Sequence, residues 1–475
     1  MNKIYILLLL LIVSISCTDL DTFDRTILSQ DIALDNVAGF ESVLFSAYES
    51  VNDFDYYGQQ QTIEGDVLAD NLNLIQLSGR YEGEFVNEIG AHYDFWLVYE
   101  LINDANVIIG LIDDESVDGE QEEKNKLKGE AYFLRALAHH DLLRSYAYEP
   151  NQIKNGWDQG VVLRTEPVEG LSNVTDIPRA SVQEGYDLVI DDLLEAISLL
   201  PSQTDVEGQD NRTFRATKEA AHALLARVYL YSGDYSLAAT QADLALATTT
   251  AILTDTTGDQ YQLSWSETPH PESLFESDIR TADWNQVDGL NESLHSLTYN
   301  ALNGAQFIIG ASPGLIDEIE TEAEDVRREL YTEVDLGFRM EKWLGEKGNF
   351  LENIPIIRYS EVLLIAAEAK ARSGQTPEAQ ADITKLRNAR GISGTVTAAG
   401  DALINLIMKE RRIELAGEGH RFYDLKRLGL PITKSEFAEQ LGAQTLQPDN
   451  FKVLARIPLS EVELSDGILE QNPGY

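Results

Sequence analysis

The sequence predicts a mainly α-helical protein, a scaffold of paired helices that carries a large irregular inserted subdomain. Three observations point there. Apolar and small residues recur at three- and four-residue steps over most of the chain. Two helix pairs share one spacing of small residues around a glycine. The stretch 248–358, about 110 residues, loses that period and is far too long for a simple connection between helices.

The elements follow in order. Phe95-Trp96, Tyr99, Ile102 and Asn106 share one helical face, and Tyr132-Phe133, Ala136, His140 and Leu143 share the next. An amphipathic helix over Val182–Leu200 is stopped by Pro201. Helices are predicted over 218–231, 235–246, 359–372, 377–390 and 402–416. Ala226, Gly233 and Ala238 are spaced like Ala367, Gly374 and Ala379. The small residue lets the partner helix approach, glycine makes the turn, and the second alanine packs the helix back. Leu225-Ala226-x2-Tyr229 with Ala238 and Ala245 fits the tetratricopeptide pattern, with Ala226 for its glycine and His222 for its tryptophan. Segments 52–90, 147–180, 202–214 and 248–358 interrupt the scaffold and are rich in Gly, Asn, Asp, Thr and aromatics. Insertions of this kind usually carry the binding surface of a repeat protein. The organisation expected is 1–16 leader, 17–30 acidic linker, 31–247 N-terminal helical scaffold, 248–358 inserted variable region and 359–475 C-terminal scaffold.

Composition bounds the function. With 43% apolar residues the chain can bury a substantial core. Asp and Glu number 80 against 36 Lys and Arg, a net charge of −44, which repels nucleic acid and anionic membrane. The single cysteine, Cys17, forms no intramolecular disulfide. It follows Lys3, an apolar run from Ile4 to Val13, and the small residues Ser14 and Ser16, the layout of a cleaved secretory leader. That run is shorter than the ~20 residues of a membrane span. The arrangement resembles a bacterial lipoprotein signal, which implies lipidation of Cys17; Ser14 stands where such signals usually have a branched residue. The acidic stretch Asp19-Leu20-Asp21-Thr22-Phe23-Asp24 resembles surface-export signals of Bacteroidota lipoproteins.

Several constellations invite chemistry. Arg411, Arg412 and Glu414, next to Glu418, His420, Arg421 and Asp424, could form an acid–base site but read better as ion pairs tying the last helices together. His139 and His140 point about 100° apart on a helix, unlike a zinc pair. No phosphate loop or nucleophile elbow is present. Acidic pairs for glycoside hydrolysis are everywhere, and no pattern singles one out. Asp283–Gly289 is only faintly like a calcium loop, because Asp288 and Gly289 miss its register, so no cofactor is expected and calcium stays open.

Several stretches, in order along the chain, carry a resemblance. They are Gly65-Asp66-Val67-Leu68-Ala69-Asp70-Asn71, Trp96-x2-Tyr99-x2-Ile102 with Ala105-Asn106, and Gly129-Glu130-Ala131-x-Phe133-Leu134-Arg135-Ala136. Later come Ile354–Leu364, Leu386-Arg387-x-Ala389-Arg390-Gly391, Glu410-Arg411-Arg412-x-Glu414-Leu415, Gly419–Arg427 and the final Gln471–Tyr475. Together they resemble the SusD/RagB family of surface lipoproteins. The resemblance implies a tetratricopeptide-like scaffold without hydrolytic activity. It also implies an outer-membrane, lipid-anchored position at the cell surface, and capture of an oligosaccharide or polysaccharide for a SusC-like TonB-dependent transporter. A peptide ligand, as in RagB-like members, is the alternative, and a glycan hydrolase a more distant one.

Sugars offer apolar faces ringed by hydroxyls, so their sites pair flat aromatics with Asn, Asp, Gln or Arg. Trp284 with Asn285 and Gln286 offers both in the inserted region, and Arg80-Tyr81 does so after Asp70. Family ligand sites draw on these two zones. Tyr56, Tyr57, Trp157 and Tyr299 are weaker candidates. Trp96, Trp265, Phe275 and Trp343 are expected to pack in the interior.

Overall fold

The computed structural model describes residues 33–92, 95–168, 177–208, 212–255, 260–281, 293–299, 301 and 304–475. Helix α1 (Val37–Asn52) is capped by Asn36, whose side chain accepts from the Gly39 N–H. A π-turn over Phe54–Gly58 leads into α2 (Gln60–Val67), followed by the short strand β1 (Leu72–Leu74). Helix α3 (Val98–Leu111) packs between α1 and α4 (Gln121–Tyr146). Helix α5 (Val182–Leu199) lies on α4 and starts with a capping box between Ser181 and Glu184.

The two glycine-centred pairs form as the spacing predicts. Helix α6 (Lys218–Ser232) turns at Gly233 into α7 (Tyr235–Thr248), and α8 (Tyr359–Arg372) turns at Gly374 into α9 (Thr376–Ala389). Gly233 and Gly374 have φ of 87° and 85°, which a residue with a Cβ rarely adopts. Ala226, Ala238, Ala367 and Ala379 are all buried between their helices. α7 also packs on α8, so the two pairs are continuous in space although 110 residues separate them in sequence. Helices α10 (Asp401–Glu414), α11 (Arg421–Arg427) and α12 (Leu459–Leu464) complete the scaffold.

The inserted region supplies β2 (Ser273–Ser277), β3 (Ile309–Ala311), β4 (Tyr331–Val334), β5 (Gly337–Met340) and β6 (Ile354–Arg358). Strands β2 and β6 form one antiparallel pair; the other sheet has the order β1-β3-β5-β4, also antiparallel. Strand β1 comes from the N-terminal part, so the inserted region shares its sheet. It shares its core as well. Trp265, Leu294, Ile309 and Trp343 pack with Ile63, Leu72, Phe85, Ile413 and Ala438 in a second apolar cluster, apart from the large cluster between the helices.

A buried ion network joins these two cores. Glu414, on the last turn of α10, accepts from Arg390 (3.0 and 2.8 Å), Arg358 (2.8 Å) and Arg327 (3.3 Å). Arg358 and Arg390 also donate to Glu272, at 3.1 and 2.8 Å. Arg327 continues to Asp325 and Glu410, and Arg358 to Glu418, which receives Lys342. All these side chains are buried. Burial works to raise the Glu272 pKa, but Arg390 and Arg358 outweigh it and hold it at about 2. Glu414 is likewise buried yet held well below the usual carboxylate range by Arg390 and Arg358. The early acidic turn is clamped to the same region. Asp70 pairs with Arg421 at 2.7 Å, and Asp66 accepts from the Gly419 N–H at 2.7 Å. A Cβ on Gly419 would lie 2.1 Å from the Gln61 carbonyl oxygen, so only glycine allows this approach.

The motif around Arg411, Arg412 and Glu414 is therefore ion-paired throughout. Arg411 donates to Asp424 at 2.7 Å, and Arg412 pairs with Asp70 at 3.2 Å. Carboxylates held ionised by arginines have no proton to give as general acids.

Replacing Glu414 with Gln leaves three arginines without their shared anion and should cost about 3–5 kcal/mol in urea unfolding. Lys128→Ala, which breaks the exposed pair with Asp113, should cost under about 1 kcal/mol. Stability should also peak on the acid side. The depressed pKa values of Glu272 and Glu414 give stability that is present above the unfolded value and lost as pH falls toward about 2. Burial raises Asp66, Glu276 and Glu352 to about 7 and Glu346 to about 8, and these give stability that is lost as pH rises through those values. The thermal midpoint should be highest near about pH 5 and fall on both sides in a calorimetric pH series.

Candidate ligand-binding site

A cleft lies where the turn after α1, the loop between α2 and α3, and the start of α12 meet. Asp55, Glu64, Tyr81, Glu84, Trp96 and Glu461 are among the residues around it, and its volume is about 480 Å³. A second cavity of about 260 Å³ shares Trp96, Leu97 and Glu461 and extends past Tyr99, Arg164 and Leu464. Trp96 stands between the two. It is half-buried just before α3, with its ring 4.9 Å from Tyr99 and 5.2 Å edge-on from Tyr146. Leu97 beside it is 63% exposed, and Leu464 across the smaller cavity is 77% exposed.

Gln59 organises the stretch of wall around Tyr81. Its buried side-chain oxygen accepts from the Tyr81 hydroxyl at 2.5 Å and from Arg80 Nη2 at 2.9 Å. Arg80 Nη1 donates to the Gln306 side chain at 2.6 Å, which links this wall to the inserted region. Tyr81 has φ of 60°, a left-handed conformation that costs a tyrosine on the order of 1–3 kcal/mol. That conformation lies at the head of the single helical turn Glu82–Phe85, at the position where Tyr81 joins the cavity wall. Gln60 donates to Asp55 at 3.0 Å and fixes one more acid of the rim.

Electrostatically the cleft is acidic and poor in cations. Burial, then the nearby Glu84, raises the Glu64 pKa well above the ordinary value. Burial also raises Glu84, helped by Glu88. His92 is held neutral, with its pKa lowered to about 3 by burial and by Lys426 and Lys434.

The structure brings the sequence candidates Arg80 and Tyr81 together, with the guanidinium 5.7 Å from the Tyr81 ring centroid, and sets Tyr81 on the cavity wall. Tyr56 and Tyr57 are a correction, because both are core residues. Tyr56 is 3% exposed, donates to Asp141 Oδ2 at 2.6 Å and stacks on Phe95. Tyr57 packs against Tyr56, 6% exposed. Their composition looks like a loop, but the π-turn folds both rings inward. Trp284, Asn285 and Gln286, the whole Asp283–Gly289 segment and Cys17 lie outside the described residues. Trp157 donates to Asn472 at 3.2 Å under Arg179, and Tyr299 packs between His295 and Arg339, so both act as packing anchors. Trp265 and Phe275 pack in the interior as expected, and Trp343 is buried as well.

Trp96 is the residue the sequence reading missed. Its spacing from Tyr99 suggests a core face, but α3 begins at Val98, so the helical period does not govern its direction. The wall acids Glu64, Glu84 and Glu461 carried no distinguishing signal among so many acidic residues. Among the described residues, no cluster of His, Asp or Glu is placed to hold a metal ion.

Comparison with known proteins agrees with this architecture. Residues 27–230 match a SusD-like family described as starch-binding and associating with the outer membrane, and residues 334–475 match the SusD family. The chain belongs to the SusD-like family. SusD-like protein P2 of Formosa agariphila is 27% identical, with 98% of each chain covered. A SusD superfamily crystal structure from Bacteroides thetaiotaomicron superposes with a TM-score of 0.80 at 25% identity, covering 92% of this chain and all of the other. A laminarin-binding SusD-like protein has the same fold, with a TM-score of 0.72 at 24% identity over 92% of this chain and 99% of its own. The mainly helical, tetratricopeptide-like scaffold is thus the SusD-like fold. Among the described residues no helix is long and apolar enough to cross a membrane.

The buried role of Tyr56 is testable. Tyr56→Phe removes one donor to Asp141, which still receives Arg144 at 2.5 Å. The expected loss is about 1–2 kcal/mol in chemical denaturation, with the fold retained.

Proposed function

We propose that this SusD-like chain captures an oligosaccharide or polysaccharide in the cleft beside Trp96 and Tyr81. It hands the glycan to a SusC-like TonB-dependent transporter without hydrolysing it. The observation that carries the reading is the half-buried Trp96 ring on the wall of a 480 Å³ cleft. That volume lies in the range of small-molecule sites, and the cleft sets aromatic faces beside Tyr81, Gln60 and several carboxylates. Such a wall can stack on the apolar face of a sugar ring while its acceptors take up hydroxyls. The starch-binding description of the family and the laminarin-binding protein of the same fold support a glycan. Lipid on Cys17 would hold the chain at the outer membrane, facing outward, and a single weak site suits a protein that must release its cargo.

Affinity electrophoresis of residues 18–475 in gels containing neutral polysaccharides tests this reading. At least one glycan should retard the protein with no product released. Trp96→Ala should weaken that retardation by about tenfold or more, equivalent to about 1.4 kcal/mol, while the melting temperature shows that the variant still folds. Retardation by no glycan, together with binding of peptides, would overturn the assignment.

A further inference from the structure

The chemistry of the cleft wall narrows the ligand. Asp55, Glu64, Glu84 and Glu461 all face this space, and no lysine or arginine among the described residues lines it. Glu64 is the informative one. It is 2% exposed, it lines the cleft from α2, and its Oε1 has no hydrogen-bond partner. The buried carboxylates Glu414 and Glu272 receive arginines, while one oxygen each of Glu130, Glu149 and Glu276 also lacks a partner but lies outside the cleft wall. The wall that holds Glu64 and Glu84 supplies no such cation. His92, beside them, is neutral and adds no positive charge.

A ligand that completes this wall must bring a donor to Glu64, and a cationic donor would favour the ionised form that burial opposes there. An ammonium group has three N–H donors and no acceptor, so it can bond several carboxylate oxygens at once. The Trp96 ring on the cleft wall can attract a cation as well as apolar sugar C–H groups, whereas the Tyr81 ring already has the Arg80 guanidinium against it. A uronate or sulfated sugar would instead meet the acidic wall and a chain of net charge −44. A bare metal ion is disfavoured, because the described residues offer no group placed to coordinate one.

We propose that the cleft selects glycans carrying a free protonated amine, that is, amino sugars not acylated on nitrogen, and that Glu64 and Glu84 receive the ammonium. This rests on the capture reading above and specifies its ligand class.

The test compares two probes that share a backbone and differ only in charge, glucosamine tetrasaccharide and its fully N-acetylated form. Binding would be measured by titration calorimetry near neutral pH in about 0.15 M salt, which screens distant charges. The wild type should bind the free-amine form at least about tenfold more tightly. Glu64→Gln and Glu84→Gln keep the side-chain shape and remove the carboxyl that can ionise beside a bound ammonium, and each should erase most of that preference. Asp113→Asn, an exposed acid outside the cleft wall, should leave it intact, which separates a local subsite from general attraction to an acidic protein. Equal affinity for the two probes would overturn the proposal, as would a preference that survives both glutamine variants. If either result came with retardation by a neutral glycan, the capture reading would stand alone. If no glycan of any kind bound, both would fall.

Discussion

The convergence of Arg327, Arg358 and Arg390 on Glu414 is the constraint on which the rest of the architecture depends. Arg358 ends β6, Arg327 lies just before β4, Arg390 closes α9, and Glu414 ends α10. One carboxylate thus fixes the inserted region against the C-terminal helices. The charges are fully desolvated, so the arrangement tolerates no missing member. It also specifies geometry better than apolar contacts alone, since planar guanidinium groups accept few orientations. The Asp70–Arg421 and Asp66–Gly419 contacts extend the same logic to α2, which carries Glu64 and one end of the cleft.

The cleft shows the opposite electrostatic design. In the network carboxylates are matched to arginines and held ionised. On the cleft wall burial instead pushes the pKa values of Glu64 and Glu84 up. The first arrangement builds a rigid frame. The second leaves a polar deficit that a bound molecule can relieve. Gln59 mediates between them. It is buried by the frame, yet it orients Tyr81 and Arg80 at the rim.

Much of the frame was legible in the sequence. The helical period located α5 to α10 to within about two residues but set no bounds for α3 and α4 and left α1 unassigned, and the Ala-Gly-Ala spacing identified both paired turns because only small residues permit those approaches. The Arg- and Glu-rich late motifs read correctly as ion pairs. The sharing of the second core did not show, because β1 is three residues long and its pairing with β3 spans more than two hundred positions. The aromatic residues were harder. Tyr56 and Tyr57 sit in a Gly- and Asp-rich stretch that looks exposed, but their burial depends on Asp141 and Phe95, which are distant in sequence. Trp96 shows the converse, a residue at core spacing that lies just outside the helix whose period it appeared to follow.

Tyr81 and Trp96 meet Pro458, Ser460 and Glu461 across the cleft, from segments more than 350 positions apart in the chain. The C-terminal segment is pinned to the N-terminal scaffold by Asn472, which donates to the carbonyls of Tyr146 and Ala455 and accepts from Arg179. A chain in the middle of its synthesis therefore lacks one wall of the cleft. The cleft is complete only once residues 458–472 have joined the scaffold, so a chain still being synthesised lacks the wall that Pro458, Ser460 and Glu461 supply.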